Sequence, residues 1–102
     1  MNERVDYYIS AVRTRGDHVT HLRVHKALGG NAFAPHGIVQ PRSTVIVNIR
    51  SNSRAYKTLQ TAQAAARPGE PVRIVEVGQR FYLRTDDGSD DAQDFLGELP
   101  RF

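Results

Sequence analysis

Three of the four histidines lie close together in the sequence, at His18, His21 and His25. Histidines four residues apart can chelate zinc when they share one face of a helix. The segment from His18 to Leu28 predicts a strand instead, in which His21 and His25 would be about 13 Å apart at roughly 3.4 Å per residue. No cysteine or suitably spaced carboxylate completes a ligand set. The sequence therefore predicts a polar strand face and no metal site.

A second cluster of side chains is acidic and consists of Asp86, Asp87, Asp90, Asp91 and Asp94. An EF-hand calcium loop needs oxygen ligands at its first, third and fifth positions, and glycine at its sixth. Counted from Asp86, the third position is Gly88 and the sixth is Asp91, so the pattern fails. A weak divalent site is one interpretation, but the composition favours a solvated acidic loop.

Motifs for catalysis are absent from the sequence. It has no Gly-x-Ser-x-Gly elbow, no phosphate-binding Gly-Lys-Ser/Thr loop and no dinucleotide fingerprint. The lack of cysteine excludes disulfides, thiolate ligands and cysteine nucleophiles. An unrecognised enzyme stays one hypothesis, because catalytic groups meet in space and would then share a deep pocket. The sequence favours a non-enzymatic protein that needs no cofactor.

Basic and aromatic side chains form the strongest positive signal. On the last predicted strand, Phe81 and Leu83 have the spacing of a core face, which would leave Tyr82 and Arg84 on the outer face. Such surfaces bind single-stranded nucleic acid through base stacking and phosphate contacts. The competing interpretation is that Tyr82 covers the core and the arginines pair with the acidic tail. The candidate nucleic-acid-binding residues are Arg13, Arg23, Tyr82 and Arg84.

The bulk composition is that of one globular domain. The chain has 102 residues, of which 39% are hydrophobic and 25% are charged. Its N-terminus has no apolar stretch typical of a secretory signal, and no segment is apolar over the length that spans a bilayer. We therefore expect one cytoplasmic domain without membrane contact.

Charge is distributed unevenly along the chain. The net charge of +3 combines a strongly basic body with an acidic stretch near the end, since six of the 11 Asp and Glu residues follow Thr85. This asymmetry indicates an anionic partner, masking of the body by the tail, or a contribution to solubility alone.

Two hairpins are predicted, one at each end of the chain. The first joins strands at Tyr7–Arg13 and His18–Leu28 through Gly16 and Asp17, and the last joins residues 72–77 and 80–85 through Gly78 and Gln79. Between them, residues 29–41 predict a long loop because they contain three glycines and two prolines.

The middle of the sequence is ambiguous between helix and strand. Residues 43–51 favour a short helix that Ser43 would cap, although their β-branched residues also fit a strand. Residues 54–66 fit either a strand that carries Tyr56 or a helix that continues through Ala66. Residues 67–71, Arg-Pro-Gly-Glu-Pro, should break such a helix.

The last third of the chain carries a family resemblance. The segment Tyr82-Leu83-Arg84-Thr85-Asp86, followed by Asp94, Leu96-Gly97 and Leu99-Pro100-Arg101-Phe102, resembles a bacterial family of small domains of unknown function. The likeness extends to residues 7–13 and 18–25. It departs from the family at Phe95, where asparagine is usual, and at residues 60–70, which look like an insertion. The resemblance implies a compact α+β unit with a helix near residues 43–51, and it implies no catalytic or ligand residues.

These observations together predict a small single α+β domain over residues 1–102. Its antiparallel sheet would be built from the N- and C-terminal hairpins with one short helix, and residues 86–102 would form an acidic loop and a folded-back tail. The tail is expected to bury its apolar residues while Asp94 caps the turn through backbone amides. Its structural residues are Asp94, Phe95, Leu96, Leu99 and Phe102.

The function indicated is that of a small non-enzymatic binding or regulatory module that contacts nucleic acid through a basic face. The alternative is a protein-interaction module or an inhibitor encoded by a bacterium or a mobile element. In that case an exposed sheet edge or the loop at residues 29–41 would carry the contact. The sequence alone leaves the partner undecided between nucleic acid and another protein.

Overall fold

The computed structural model describes residues 5–16, 18–30, 32–62, 65–85, 94–97 and 99–102. Within these residues the protein has eight strands and one short helix, which agrees with the expected α+β class. The strands form one six-stranded sheet and one two-stranded sheet, and most of their pairings are antiparallel. No helix in this part of the chain has the length and apolarity needed to cross a membrane.

The centre of the large sheet is the predicted N-terminal hairpin. Strands β1 (Tyr7–Arg15) and β2 (His18–Gly29) pair antiparallel. Gly16 lies in the turn with a φ of +62°, a conformation that favours glycine because other residues would strain there. The prediction of this hairpin is confirmed.

Two short strands replace the long loop expected at residues 29–41. Strands β3 (Ala32–Phe33) and β4 (Ile38–Pro41) both pair antiparallel with β2, on the side away from β1. The loop prediction was therefore wrong for these residues. The length of β2 explains the difference, because it gives both short segments a strand edge on which to satisfy backbone hydrogen bonds.

The predicted short helix is confirmed as α1 (Arg42–Arg50). Val45 and Ile46 are buried against the sheet, so tertiary packing outweighs the weak helix propensity of β-branched residues. Ser43 does not cap the helix as expected, since the N-cap is Pro41 and makes no side-chain hydrogen bond. At the other end, the Ser51 hydroxyl donates to the Val47 carbonyl oxygen at 2.8 Å.

Residues 56–62 form a strand, so the helical alternative for them was wrong. Strand β5 (Tyr56–Ala62) pairs parallel with β1 and antiparallel with β6 (Ala65–Pro71). The predicted helix breaker therefore belongs to a strand. Its prolines are tolerated because β6 is the last strand in the sheet order, where the missing N–H groups need no further partner. The apparent insertion at residues 60–70 includes residues 63–64, which lie outside the described residues.

The predicted C-terminal hairpin is also confirmed, as strands β7 (Arg73–Val77) and β8 (Arg80–Arg84). It forms a separate two-stranded sheet, however, so the expectation of one antiparallel sheet containing both hairpins was wrong. The hairpin packs through Leu83 and Ile74 onto the core between α1 and the large sheet. Side-chain burial rather than backbone pairing joins the two hairpins.

Candidate nucleic-acid interface

The β1–β2 hairpin has one face turned to the core and one turned away from it. The cross-strand pair Val12 and Leu22 belongs to the core. Successive side chains on a strand point to opposite faces, so the neighbouring Arg13 and Arg23 lie on the outer face. Both side chains are exposed. The hairpin thus brings together two of the four predicted nucleic-acid-binding residues.

The ring of Phe102 lies against both of these arginines. The guanidinium carbon of Arg13 is 4.7 Å from the ring centroid, and that of Arg23 is 4.5 Å from it. Two guanidinium groups on one ring are within about 9 Å of each other. Contacts of this kind are worth about 0.5–1 kcal/mol each at exposed sites. We call Arg13, Arg23 and Phe102 the basic face.

Backbone hydrogen bonds hold Phe102 in this place. The Val12 N–H donates to the Pro100 carbonyl oxygen at 2.9 Å, and the Phe102 N–H donates to the Val12 carbonyl oxygen at 3.1 Å. The tail therefore runs beside β1 at Val12, further along β1 than the Tyr7–Ile9 segment that pairs with β5. These two hydrogen bonds fix the backbone of Phe102 beside β1, independently of the contacts of its ring with the arginines.

Gly37 positions the stem of Arg23. A β-carbon at residue 37 would be 2.6 Å from Cγ and 2.9 Å from Cδ of Arg23. Because Gly37 has no side chain, the methylene groups of Arg23 can pack against the backbone at residue 37. This contact restricts where the guanidinium group can point.

The basic face is not neutralised by an aspartate or glutamate among the described residues, although Arg13 Nε donates to the main-chain oxygen of Phe102 at 3.5 Å. Neither Arg13 nor Arg23 contacts the carboxylate of any described side chain. Two of the described carboxylates have other partners: Asp94 pairs with Arg42, and Asp6 accepts a hydrogen bond from the Ala55 N–H. The acidic residues 86–91 lie outside the described residues, so the predicted masking of the basic body by this loop stays a prediction.

The other two predicted nucleic-acid-binding residues are not on this face. Tyr82 and Arg84 are buried, with exposures of 8% and 3%. The expectation of an outer face on β8 was wrong because this strand is covered on both sides. Leu83 packs into the core, and the guanidinium carbon of Arg84 lies 5.3 Å from the ring centroid of Phe95 in the tail.

The predicted tail residues divide into three kinds. Leu96 is buried in the core and Leu99 packs against it, as expected. Phe95 is 42% exposed, so the prediction of its burial was wrong; it lies over Arg84 instead of in the core. Phe102 is half-buried and belongs to the basic face, a role that its sequence position at the end of an apolar tail did not indicate.

Asp94 anchors the tail, although it does more than cap a turn. Its carboxylate accepts hydrogen bonds from Arg42 Nε at 2.8 Å, from Arg42 Nη2 at 2.9 Å and from the Leu83 N–H at 2.9 Å. Arg42 was not among the predicted residues, because nothing in the local sequence pattern indicates a partner 52 residues away. The predicted contact of Asp94 with a backbone amide is present at Leu83.

His25 has a structural role in the fold. His25 is buried and its Nδ1 donates to the Ala34 carbonyl oxygen at 2.8 Å, which makes Nε2 the acceptor for the Ser10 hydroxyl at 2.8 Å in the neutral ring. Both nitrogens are therefore occupied. Across the described residues, no three histidine or acidic side chains converge to hold a metal ion.

Comparison of the chain with protein-family models, with curated protein sequences and with solved structures finds no match. Its function must therefore be inferred from its own residues.

Proposed function

We propose that this protein is a non-enzymatic module that binds nucleic acid through the basic face. The observation that carries the proposal is the convergence of two exposed guanidinium groups, on Arg13 and Arg23, on the single ring of Phe102. Guanidinium groups donate paired hydrogen bonds to phosphate oxygens, and the planar faces of guanidinium groups held on an aromatic ring can stack on a base.

The geometry favours contacts with the phosphates of the nucleic acid and stacking on its bases over recognition of a particular base sequence. Two arginines held about 9 Å apart or closer suit neighbouring phosphates of one strand. Phosphate contacts position a protein on nucleic acid but carry no sequence information. We therefore expect binding that depends little on sequence. Tyr82 and Arg84 are omitted from the proposed interface because they are buried.

The proposal is tested by fluorescence anisotropy with labelled single-stranded DNA, single-stranded RNA and duplex DNA. Binding should weaken steeply as salt rises from about 50 to about 200 mM, because each phosphate contact releases counterions. The double variant Arg13→Ala/Arg23→Ala should bind more weakly and lower the slope of log affinity against log salt by about 2.

Arg54→Ala is the matched control, since Arg54 is exposed, precedes β5, and its guanidinium group donates to the neighbouring Ser53 carbonyl oxygen. It removes one positive charge without touching the basic face, so it should leave the salt slope nearly unchanged. Absence of binding at low salt would refute the proposal. So would equal losses of affinity in Arg54→Ala and in either single variant, Arg13→Ala or Arg23→Ala.

A second candidate function is protein binding at the edge strand β4. Within the described residues β4 pairs only with β2, and its side chains Ile38 and Val39 are 54% and 50% exposed. An extended segment of a partner could add to this edge through backbone hydrogen bonds. Such binding would resist salt and would be weakened by Val39→Lys, whereas binding at the basic face would not be weakened by that change. The resemblance of the tail to a family of small domains stays a prediction and adds no ligand residue.

A further inference from the structure

A second concave site lies apart from the basic face. It is a cavity of about 310 Å³ between the turn end of the β1–β2 hairpin, the start of α1 and strand β8. It shares no lining residue with the basic face. Pockets for small molecules begin at about 300 Å³, so this one suits a ligand no larger than a single nucleotide.

One wall of the cavity is formed by Arg42, whose guanidinium group is held in a fixed position. Arg42 is held by the Asp94 carboxylate through Nε and Nη2, and Nη2 also donates to the Phe81 carbonyl oxygen at 2.6 Å. These three hydrogen bonds set the plane of the guanidinium group. They leave Nη1 without a partner among the described residues, so its N–H groups are available to a ligand.

The rim of the cavity adds two further basic side chains. Arg80 and His18 are both exposed, and neither side chain makes an ion pair or a hydrogen bond with the described part of the chain. Because Asp94 already balances the charge of Arg42, Arg80 supplies the uncompensated positive charge. An anionic group is the natural partner for this rim.

The remaining walls are aromatic and apolar. Phe81 and Tyr82 line the cavity together with Val19 and Ile46. The Tyr82 hydroxyl makes no hydrogen bond with a described residue, and no buried side-chain polar atom in those residues lacks a partner. The Tyr82 hydroxyl is therefore open to solvent and can bond to a ligand, while its ring is 8% exposed and held in place.

We propose that this cavity binds a small molecule that joins a planar aromatic ring to an anionic group, with a nucleoside monophosphate as the upper limit of size. The ring packs against Val19, Tyr82 and Ile46, and the anion contacts Arg80 and the free N–H groups of Arg42. The proposal does not depend on nucleic-acid binding at the basic face, since the two sites have no residue in common.

NMR titration tests the proposal with four probes: adenosine monophosphate, benzoate, adenosine and inorganic phosphate. At least one of the two aromatic anions should bind and shift the signals of Phe81 and Tyr82. Adenosine and inorganic phosphate should bind at least about tenfold more weakly than that anion, because each offers only half of the contacts. Binding of adenosine monophosphate without benzoate identifies a nucleotide site, and the reverse identifies a site for an aromatic carboxylate.

Two variants localise the binding. Arg80→Ala removes an exposed side chain and should lower the affinity for the aromatic anion by about tenfold or more. Tyr82→Phe keeps the ring but removes the hydroxyl, and it should lower that affinity severalfold. Arg54→Ala, which has the same change in charge away from the cavity, should bind as the unmodified protein does, and melting temperatures confirm that each variant is folded. The proposal is overturned if neither aromatic anion binds at millimolar concentration, or if Arg80→Ala binds the anion unchanged.

Discussion

At the scale of single residues, Gly37 and Arg23 illustrate how a missing side chain can orient a charged one. Arg23 has a flexible stem with many rotamers, so ordering it costs conformational entropy. The backbone at Gly37 covers that stem, and the guanidinium group rests on Phe102. The basic face is therefore partly preorganised before any ligand binds.

Gly37→Ala should displace Arg23 without changing the net charge. The new methyl group would lie 2.6 Å from the Arg23 Cγ, so the side chain has to move off Phe102. We expect the affinity for nucleic acid to fall by about threefold to tenfold, which corresponds to about 1 kcal/mol of lost preorganisation. Anisotropy measures the affinity, and the ring-current shift on the Arg23 side-chain protons reports the displacement.

The same substitution in an Arg23→Ala background provides the control. With the stem of Arg23 removed, the nearest neighbour of the added methyl group is His25 Nε2, at 3.1 Å, so the second change should cost less affinity and less melting temperature than it does when Arg23 is present. Equal effects of Gly37→Ala in both backgrounds would contradict the proposed contact.

At the scale of secondary-structure elements, Tyr56 joins three of them. Its hydroxyl donates to the Gln40 side-chain oxygen on β4 at 2.8 Å and accepts from the Asn48 amide on α1 at 3.0 Å. Its ring stacks on Tyr7 of β1 with the centroids 5.3 Å apart. The helix is thus tied to the sheet by polar bonds as well as by apolar packing. Burial raises the pKa of Tyr56 above its ordinary value of 10.0, and the hydrogen bond from Asn48 opposes this rise.

The protein should lose stability as the pH rises above 10. Below pH 10 the unfolded chain and the folded protein both keep the Tyr56 proton, so the contribution of this residue is fully present. Above pH 10 the unfolded chain releases the proton while the folded protein still holds it, because the folded pKa is higher. The free energy of unfolding must then decrease until the pH passes the folded pKa.

Tyr56→Phe separates this effect from the titration of the other tyrosines. The variant should be about 1–2 kcal/mol less stable at neutral pH, since Gln40 and Asn48 lose a partner. Its stability should decline less steeply above pH 10 than that of the unmodified protein. Urea denaturation at a series of pH values measures both, and parallel declines would show that Tyr56 does not contribute.

At the scale of the whole molecule, the tail connects the two sheets. Its first part pairs with β8, where the Phe95 N–H donates to the Leu83 carbonyl oxygen at 2.8 Å. Its last part pairs with β1 through Val12, and Leu96 is buried in the core between them. The ion pair of Asp94 with Arg42 adds a link from the tail to α1.

Deletion of residues 94–102 should therefore destabilise the fold strongly. The single variant Asp94→Ala should already cost about 2–4 kcal/mol, because it leaves Arg42 and the Leu83 N–H without their acceptor. A loss of this size lowers the melting temperature of such a domain by about 10 °C or more. Thermal denaturation followed by circular dichroism measures the effect.

Glu76→Ala is the control for Asp94→Ala, since Glu76 is an exposed carboxylate on β7 and should change stability by less than about 0.5 kcal/mol. An unchanged melting temperature after deletion of the tail would show that the two sheets do not need it.

The sequence by itself determined the local elements of this protein. Gly16 and Gly78 set the two hairpin turns, and Val45, Ile46 and Ile49 share the buried side of a short helix. These features depend on contacts between residues close in the chain, where turn chemistry and periodicity are informative. The same kind of information placed Arg13 and Arg23 among the candidate binding residues.

Only the tertiary structure decided how these elements are combined. The alternation of side chains along β8 predicted an exposed face for Tyr82 and Arg84. The tail and α1 cover that face instead. The local sequence pattern could not indicate this, because it contains no information about which distant segments pack on a strand. Phe102 joined Arg13 and Arg23 for the same reason, through hydrogen bonds to Val12 that span 90 residues of chain. Long-range contacts satisfy the backbone and bury the side chains, and they alone select which charged and aromatic residues reach the surface together.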